Sequence, residues 1–455
     1  MNPAIWSSPE AVARCGGTWV GPAVSFQGVS TDTREPLEKR LFIALRGERF
    51  DGHDFCGEAL RKGAVAFMVD HPVPVQAPQW ILEDTRSGLS RLAAAHRQRF
   101  SGQVIGITGS NGKTTCKEMA AAVLGQAGAT LATRGNRNNE IGLPLSLLAA
   151  HRENFLILEM GANHPGEIRH LSQIARPHAA LITSIGEAHL AGFGNLAGVA
   201  RAKGEIAQGL VPGGVLILPD DLPPVFQPPA GDFQVLTCGT SASAAVQCLE
   251  MPVSRWDEQG FRTEFLVRSQ PFGLPPTPFS LPLVGEHNVR NALLVIALGL
   301  HFGLNGAQIQ AGFSRLQPVP GRLFPRRGKG GWRILDDAYN ANPDSVRAAF
   351  QVLNSLPGRP VAVLGDLAEL GAEAPALHFQ LGAAARAAGI AALYTVGELS
   401  QEAARGFGAG QHFRDQASLI AALQKALRLE DTVLIKGSRS AGLEQVVEAL
   451  SLSGE

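Results

Sequence analysis

Short apolar runs that stop at glycine or at a polar cluster alternate along this chain with stretches whose apolar positions return every three or four residues. The first pattern predicts buried strands of a parallel sheet, and the second predicts helices packed on them. Up to residue 97, strands are expected over 41–45 and 64–69, with helices over 55–62 and 89–100. The alternating proline and valine of 71–75 read as a surface connector, because proline supplies no ladder donor. Over 98–317 the buried runs are 104–107, 155–158, 180–185 and 215–218. The region 221–278 is richer in proline, glycine and polar residues, and its strands 233–237 and 264–267 suggest an antiparallel extension, followed by a well-packed helix over 288–300. Beyond Pro318, strands are expected at 332–337, 361–365 and 432–437, and Asn342-Pro343 reads as a cap followed by the first helical position. The expectation is an α/β protein of three domains: a small α/β unit over 1–97, a parallel-sheet domain over 98–317, and a second doubly wound, Rossmann-like domain over 318–455.

Composition narrows this picture. A chain of 455 residues has room for about three domains. Basic and acidic residues balance at 40 each, so no polycationic surface for nucleic acid is expected. No apolar stretch reaches the roughly 20 residues of a membrane helix, and stable membrane insertion is not expected. The N-terminus carries Glu10 and lacks a basic start followed by an apolar block, so it does not read as a secretion signal. Cys15, Cys56, Cys116, Cys238 and Cys248 are scattered and form neither a metal knuckle nor a disulfide framework. A reduced, cytoplasmic protein acting as a monomer is the expectation, with Cys116 as a packing residue.

The most specific chemistry lies at Gly106-Ile107-Thr108-Gly109-Ser110-Asn111-Gly112-Lys113-Thr114-Thr115. An apolar strand precedes it and a helical pattern follows. A glycine-rich turn between strand and helix cradles phosphate, because its N–H groups and the helix dipole face the anion. Lys113 would reach the outer phosphates and the Thr114 hydroxyl would hold Mg²⁺. The usual pattern has glycine five positions before Gly112, but Ile107 stands there and glycine is at 106.

Other candidates sit where ligands of parallel sheets collect, beyond the C-terminal strand ends. Glu159 closes a buried run, where a carboxylate is costly without a cation, and Mg²⁺ is the economical partner. His189 follows another strand and reads either as a catalytic group or as a packed ring, and Glu187 is a competing acid. Lys203 as a plain ammonium would repel a metal and would better suit phosphate or a carboxylate. Asn288 and Asn291 share a helix face and could read an adenine edge, or cap the helix and face solvent. Arg322 can swing onto phosphates from the hinge, and Asp336 and Asp337 could accept ribose hydroxyls. Lys436, Ser438 and Arg439 suit a substrate carboxylate or a solvated turn.

Taken together, these blocks resemble the Mur ligase family over essentially the whole chain. The phosphate loop of that family, Thr-Gly-x-x-Gly-Lys-Thr, is Thr108 to Thr114, which accounts for the shifted first glycine. Its acidic strand end is Leu158 to Asn163, its histidine-to-lysine block runs from Ala188 to Ile206, and its adenine-side helix is Gly285 to Ala292. Ser30 to Arg34 and Arg46 to His53 are similar to the family's UDP-substrate domain. The stretches Asp336 to Pro343, Gly365 to Gly371 and Lys436 to Arg439 resemble the branch that joins D-alanyl-D-alanine to UDP-N-acetylmuramoyl-tripeptide. Departures are Thr33 for serine, Ser184 for asparagine, and Leu367 and Leu443 for methionine.

The resemblance implies an ATP- and Mg²⁺-dependent amide-bond-forming ligase. The carboxylate of the UDP-linked tripeptide, whose third residue is meso-diaminopimelate or L-lysine, is activated as an acyl phosphate and then attacked by the amine of D-Ala-D-Ala. It implies Lys113, Lys203, His189 and Arg322 as catalytic residues and Thr114, Glu159, His189 and Lys203 at the magnesium sites, with Lys203 carbamylated and therefore anionic. Gly109, Ser110, Asn111, Gly112, Lys113, Thr114, Thr115, Asn288, Asn291, Arg322 and Asp337 would hold the nucleotide. Ser30, Asp32, Arg34, Asp51, His53, Asn138, Asn139, Tyr339, Asn340, Lys436, Ser438 and Arg439 would contact the other substrates. The alternatives are a relative that adds a diamino acid to the UDP-linked dipeptide, more remotely a folylpolyglutamate synthase, and outside the family a phosphate-loop binding module without ligase activity.

Overall fold

The central sheet sets the position of everything chemical in this protein. The computed structural model describes residues 6–257 and 260–452. The phosphate-loop strand Gln103–Thr108 lies inside that sheet, between the parallel strands Phe155–Glu159 and Ala179–Ile182. From Gln103–Thr108 the chain first crosses to the outer strand Thr130–Ala132, returns to Phe155–Glu159, and then passes to the other flank. A reversal of that kind opens a crevice at the C-terminal strand ends. Both sheet faces are covered. Val104 packs on one side with Leu143, Leu147 and Leu171, whereas Ile105 and Ile107 pack on the other with Met119, Val123 and Leu293. Burial on both faces explains why these strands read as continuous apolar runs.

Strands Gly214–Pro219, Phe233–Gly239 and Val246–Cys248 continue the sheet in parallel. The expected antiparallel extension therefore begins later than 233, with Val253–Asp257, Gly260–Ser269 and Leu274–Leu281. Strand Ala179–Ile182 ends before Ile185 because Thr183 and Ser184 turn to bond the phosphate loop. The loop's helix runs from Lys113 to Leu124, with Gly112 as its cap, so it begins earlier than its apolar pattern suggested.

A smaller sheet precedes this one, ordered Thr18–Val20, Gln79–Ile81, Ala66–Val69, Leu41–Ile43 and Val29–Ser30. Helix Thr85–Arg99 packs on the central helices Gly142–Leu148 and Glu167–Ala175, so one core is shared by both units. Its start, hidden from an apolar pattern, is fixed by Asp84, whose carboxylate accepts from the N–H groups of Arg86 and Ser87.

The third sheet is ordered Phe324–Arg327, Arg333–Asp337, Asp431–Lys436, Arg359–Gly365, Ala392–Val396 and Gln411–Phe413, all parallel except the first pair. Helix Pro343–Ser355 starts where the sequence placed it. Asn342 and Ser345 close a reciprocal capping box, and Pro343 occupies the first turn, where its missing N–H is harmless.

Candidate active site

The phosphate loop is shaped by two glycines with positive φ. Gly109 adopts φ 149° and Gly112 φ 80°. A Cβ on Gly109 would lie 2.0 Å from Thr183 Oγ1, and one on Gly112 would lie 2.6 Å from Asn291 Oδ1. Neither position admits a side chain. Gly106, by contrast, lies within the strand facing Met160 and Ile206, where it serves close packing rather than the loop. The backbone of Ser110 donates to Ser184 O at 2.9 Å, and Asn111 N donates to Ser184 Oγ at 2.9 Å. The serine at 184, one of the departures from the family pattern, thus holds the loop from the neighbouring strand end. Lys113 Nζ donates to Gly109 O at 2.6 Å and lies folded across its own loop. Burial pushes its ammonium below the ordinary lysine value, and Glu159 pulls it back.

Glu159 and Thr114 meet at the mouth of this loop. Register places Glu159 opposite Ile107, one strand over from the turn. Glu159 Oε2 accepts from the Thr114 hydroxyl at 2.9 Å, and Oε1 accepts from Asn138 Nδ2 at 2.9 Å. The third domain closes over them, with Arg322 Nη2 donating to Thr114 Oγ1 at 2.9 Å. A hydroxyl and a carboxylate are hard oxygen donors of the kind Mg²⁺ selects, and two cationic side chains beside them suit a polyphosphate.

Lys203 sits on helix Leu196–Gly204 and is 1% exposed. Its Nζ makes no hydrogen bond or ion pair among the described residues and lies 5.3 Å from the centre of the Phe193 ring. Burial, with Lys113 nearby, lowers its pKa to about 7, against the pull of Glu167 and Glu205. As an ammonium it would be a poor metal ligand and a costly buried charge. His189 faces the same region. Burial draws its pKa down, Glu369 opposes, and Lys113 and Lys203 reinforce the fall. Its ring meets the carboxylate of Glu369 from the third domain.

Asn288 and Asn291 are both buried, which removes the solvent-facing reading. Nor does Asn288 cap its helix, since Gly285 holds the cap position. Asn288 Nδ2 donates to Val284 O at 2.8 Å, and the Asn291 amide packs beneath Gly112. Asn291 Nδ2 donates to Asn288 Oδ1 at 3.4 Å, so the two amides are linked to each other beside the loop.

Several third-domain candidates are engaged with one another. Asp337 and Lys436 pair in register across adjacent strands, with Nζ 2.6 Å from Oδ2. Both are buried, so the solvated-turn reading of Lys436 gives way to an internal ion pair. Asp337 also accepts from Leu323 N at 3.1 Å. Asp336 is paired with Arg326. Ser438 Oγ donates to Asp366 O at 2.6 Å. What remains open is Tyr339, flanked by Arg322 at 4.6 Å and Arg439 at 5.6 Å, together with the exposed Asn340.

The first domain shows the same division. Asp32 and Arg34 form a fork at the surface, with Nη2 2.7 Å from Oδ2, and Ser30 Oγ donates to Glu35. His53 is buried between Asp51 and Asp70, and Asp70 N donates to its Nε2 at 3.1 Å. Asp51 caps the short turn Gly52–Phe55. Asn139 Oδ1 accepts from Gly142 N at 2.9 Å just before helix Gly142–Leu148, whereas Asn138 reaches Glu159. His53 and Asn139 are therefore architectural in this arrangement. Sequence reasoning missed Thr183, Asp344 and Glu369. Asp344 accepts from Glu187 N at 3.0 Å and leaves Glu187 directed at the third domain. Only strand-end position could have flagged Thr183; Glu369 lies within the Gly365–Gly371 stretch and Asp344 follows the Asn342-Pro343 cap, but neither side chain stands out there as a site group.

Three family models match in succession: "Mur ligase family, catalytic domain" over 25–101, "Mur ligase middle domain" over 107–299, and "Mur ligase, glutamate ligase domain" over 321–439. A UDP-N-acetylmuramoyl-tripeptide–D-alanyl-D-alanine ligase of Escherichia coli is 43% identical over 96% of both chains. The protein of that name in Bacillus subtilis is 39% identical over 93% of both. Among solved structures, MurF from Acinetobacter baumannii superposes with a TM-score of 0.91 at 33% identity, covering 98% of this chain and 99% of the other. MurF from Thermotoga maritima in complex with ADP gives 0.82 at 29% identity over 93% and 96%. With three successive domain matches and close relatives spanning nearly its whole length, the chain belongs to the Mur ligase family.

Proposed function

We propose that this protein joins D-alanyl-D-alanine to UDP-N-acetylmuramoyl-tripeptide at the expense of ATP, yielding the UDP-linked pentapeptide, ADP and phosphate. The contact that carries the reading is Arg322 Nη2 to Thr114 Oγ1 at 2.9 Å. It brings a third-domain cation onto the phosphate-loop hydroxyl, as transfer between two domains requires. A binding module without transfer has no use for that closure.

The peptide carboxylate attacks the γ-phosphorus of ATP, ADP departs, and an acyl phosphate forms. Lys113 and Arg322 neutralise charge on the transferring phosphoryl group. The amine of D-Ala-D-Ala then adds to the acyl carbon. It loses a proton as the tetrahedral intermediate expels phosphate. Closure of the third domain keeps water from the acyl phosphate. Residues 1–97 hold the UDP-substrate, 98–317 bind ATP, and Tyr339, Asn340 and Arg439 in 318–455 face the incoming dipeptide.

Thr114, Glu159 and His189 are the residues that would hold Mg²⁺, which when bound supplies Lewis-acid stabilisation of the phosphoryl oxygens. A bare Lys203 does not suit that set. Its pKa of about 7 leaves a large neutral fraction at physiological pH. The neutral amine can add to CO₂, forming an N–C bond with loss of one proton, and the resulting carbamate is an anion able to join the site. All five cysteines are free and buried. Among the described residues no helix is long and apolar enough to cross a membrane.

The test is coupled nucleotide turnover. ADP and phosphate should be released together with peptide product only when both the UDP-linked tripeptide and D-Ala-D-Ala are present. Steady hydrolysis of ATP with neither substrate would contradict ligation.

A further inference from the structure

Five non-glycine residues of the described chain adopt positive φ, and two of them, His189 at 54° and Glu369 at 62°, face each other across the interface of the central and third domains. Left-handed backbone is unfavourable for residues bearing a Cβ and persists only where surrounding structure imposes it. Here it aims two side chains at one another, and the Glu369 carboxylate meets His189 Nδ1. A backbone contact lies alongside, from Ala191 N to Glu369 O at 3.5 Å.

The Glu369 side chain is about half exposed, as a chance surface pair would be. The loop beneath it is not loose. Leu367 and Leu370 on either side are buried at 1% and 4% exposure. Leu367 N donates to the ring of buried His378 at 3.0 Å. Asp366 accepts from the N–H groups of Glu398, Leu399 and Ser400. On the other side, the His189 ring stands edge-on to Phe193, the same ring that Lys203 overlies. A rigid third-domain arm thus ends in one carboxylate, and that carboxylate touches one imidazole.

We propose that Glu369 is a positioning residue for His189: it accepts the Nδ1 proton, fixes the ring tautomer and orientation, and leaves the Nε2 lone pair for the metal site only when the third domain has closed. The inference rests on the reading that His189 belongs to the phosphate-transfer machinery. A carboxylate on the second nitrogen of a metal-binding histidine fixes the tautomer and raises basicity, and its loss typically costs about 10- to 100-fold in metal affinity or activity. In this chain that carboxylate comes from a different domain than the histidine, which ties competence of the site to closure.

The test uses the full chain labelled with ¹⁵N-histidine, carrying a non-hydrolysable ATP analogue in the presence of a chelator, with His189→Ala to assign the resonance. The wild type should show the Nδ1-protonated tautomer of His189. Glu369→Ala should show a mixture of tautomers, and Glu369→Gln, which keeps an acceptor oxygen, should restore the single form. In parallel, Mn²⁺ affinity read by electron paramagnetic resonance should fall about tenfold in Glu369→Ala. The kcat should fall with it while the KM for D-Ala-D-Ala holds, and Glu369→Ala should add nothing in a His189→Ala background. An unchanged tautomer and unchanged Mn²⁺ affinity in Glu369→Ala, with wild-type ligation intact, would overturn the proposal. Full activity of His189→Ala would instead remove the reading on which it rests.

Discussion

The side-chain amides of Asn111 and Asn342 clasp each other across two domains. Nδ2 of Asn342 donates to Oδ1 of Asn111 at 2.8 Å, and Nδ2 of Asn111 donates back at 3.3 Å. Asn111 belongs to the phosphate loop and Asn342 caps the helix Pro343–Ser355, so a helix cap of the third domain is also the partner of the nucleotide loop.

That double duty can be separated. Serine caps helices about as well as asparagine but cannot reach across as an amide. Asn342→Ser should therefore change stability by less than about 0.5 kcal/mol, while Asn342→Ala loses about 1 kcal/mol for the cap. Both should weaken ATP-induced closure, measured by small-angle scattering with and without nucleotide. Normal closure in both variants would show that the clasp is incidental.

The Asp337–Lys436 pair predicts instability rather than a pure substrate defect. Burial raises the Asp337 pKa and Lys436 opposes the rise. Removing Lys436 strands a buried carboxylate, so Lys436→Ala should cost about 3–5 kcal/mol, read from chemical denaturation. Replacing both residues with apolar side chains should recover much of that loss. A stable Lys436→Ala with a selectively raised KM for the dipeptide would instead favour a direct substrate role.

Lys203 gives a pH dependence of definite sign. Its pKa falls from an ordinary 10.5 to about 7 in the folded chain. Below pH 7 both folded and unfolded states hold the proton, and the folded state bears the full cost of the buried ammonium. Between 7 and 10.5 the unfolded state binds more protons, so this contribution to stability improves as pH rises. Lys203→Met should therefore stabilise the protein at pH 6, by up to roughly 5 kcal/mol before relaxation is allowed for. The gain should vanish toward pH 10. Denaturant midpoints in CO₂-free buffer at both pH values decide it, and a pH-independent gain would contradict the assignment.

Lys113 is held by two carbonyls of its own loop and supports no apolar core. Lys113→Ala should fold normally and lose ligation by several orders of magnitude at saturating ATP, as removal of a main phosphate-neutralising group implies. Circular dichroism beside a turnover assay checks both halves.

How much was legible in the sequence depended on how local each signal was. The phosphate loop, Glu159 and the Asn342 cap are written in contiguous residues, and strand, turn and helix appear where those residues put them. Strand ends were overextended at Ile185 because Thr183 and Ser184 look apolar-compatible but turn to hold Asn111. Strand Phe233–Gly239 was misassigned because proline- and glycine-rich surroundings mark connectors, not pairing direction. The partners of Lys436, Asn291 and His53 were invisible for a different reason. Those of Lys436 and Asn291 are chosen by register or packing between segments far apart in the chain, while His53 is held by Asp51 two positions before it and Asp70 seventeen after it, and a polar residue at a strand end looks alike whether it meets substrate or another side chain. Glu369 is the extreme case: its stretch Gly365–Gly371 stands out in the sequence, but what its carboxylate meets lies 180 positions away.

The central claim is the choice of acceptor. Purified protein with ATP, Mg²⁺ and either UDP-N-acetylmuramoyl-tripeptide plus D-Ala-D-Ala or the UDP-linked dipeptide plus a diamino acid should be examined by mass spectrometry. The account predicts pentapeptide in the first reaction and no product in the second. Efficient diamino-acid addition with no pentapeptide would contradict it.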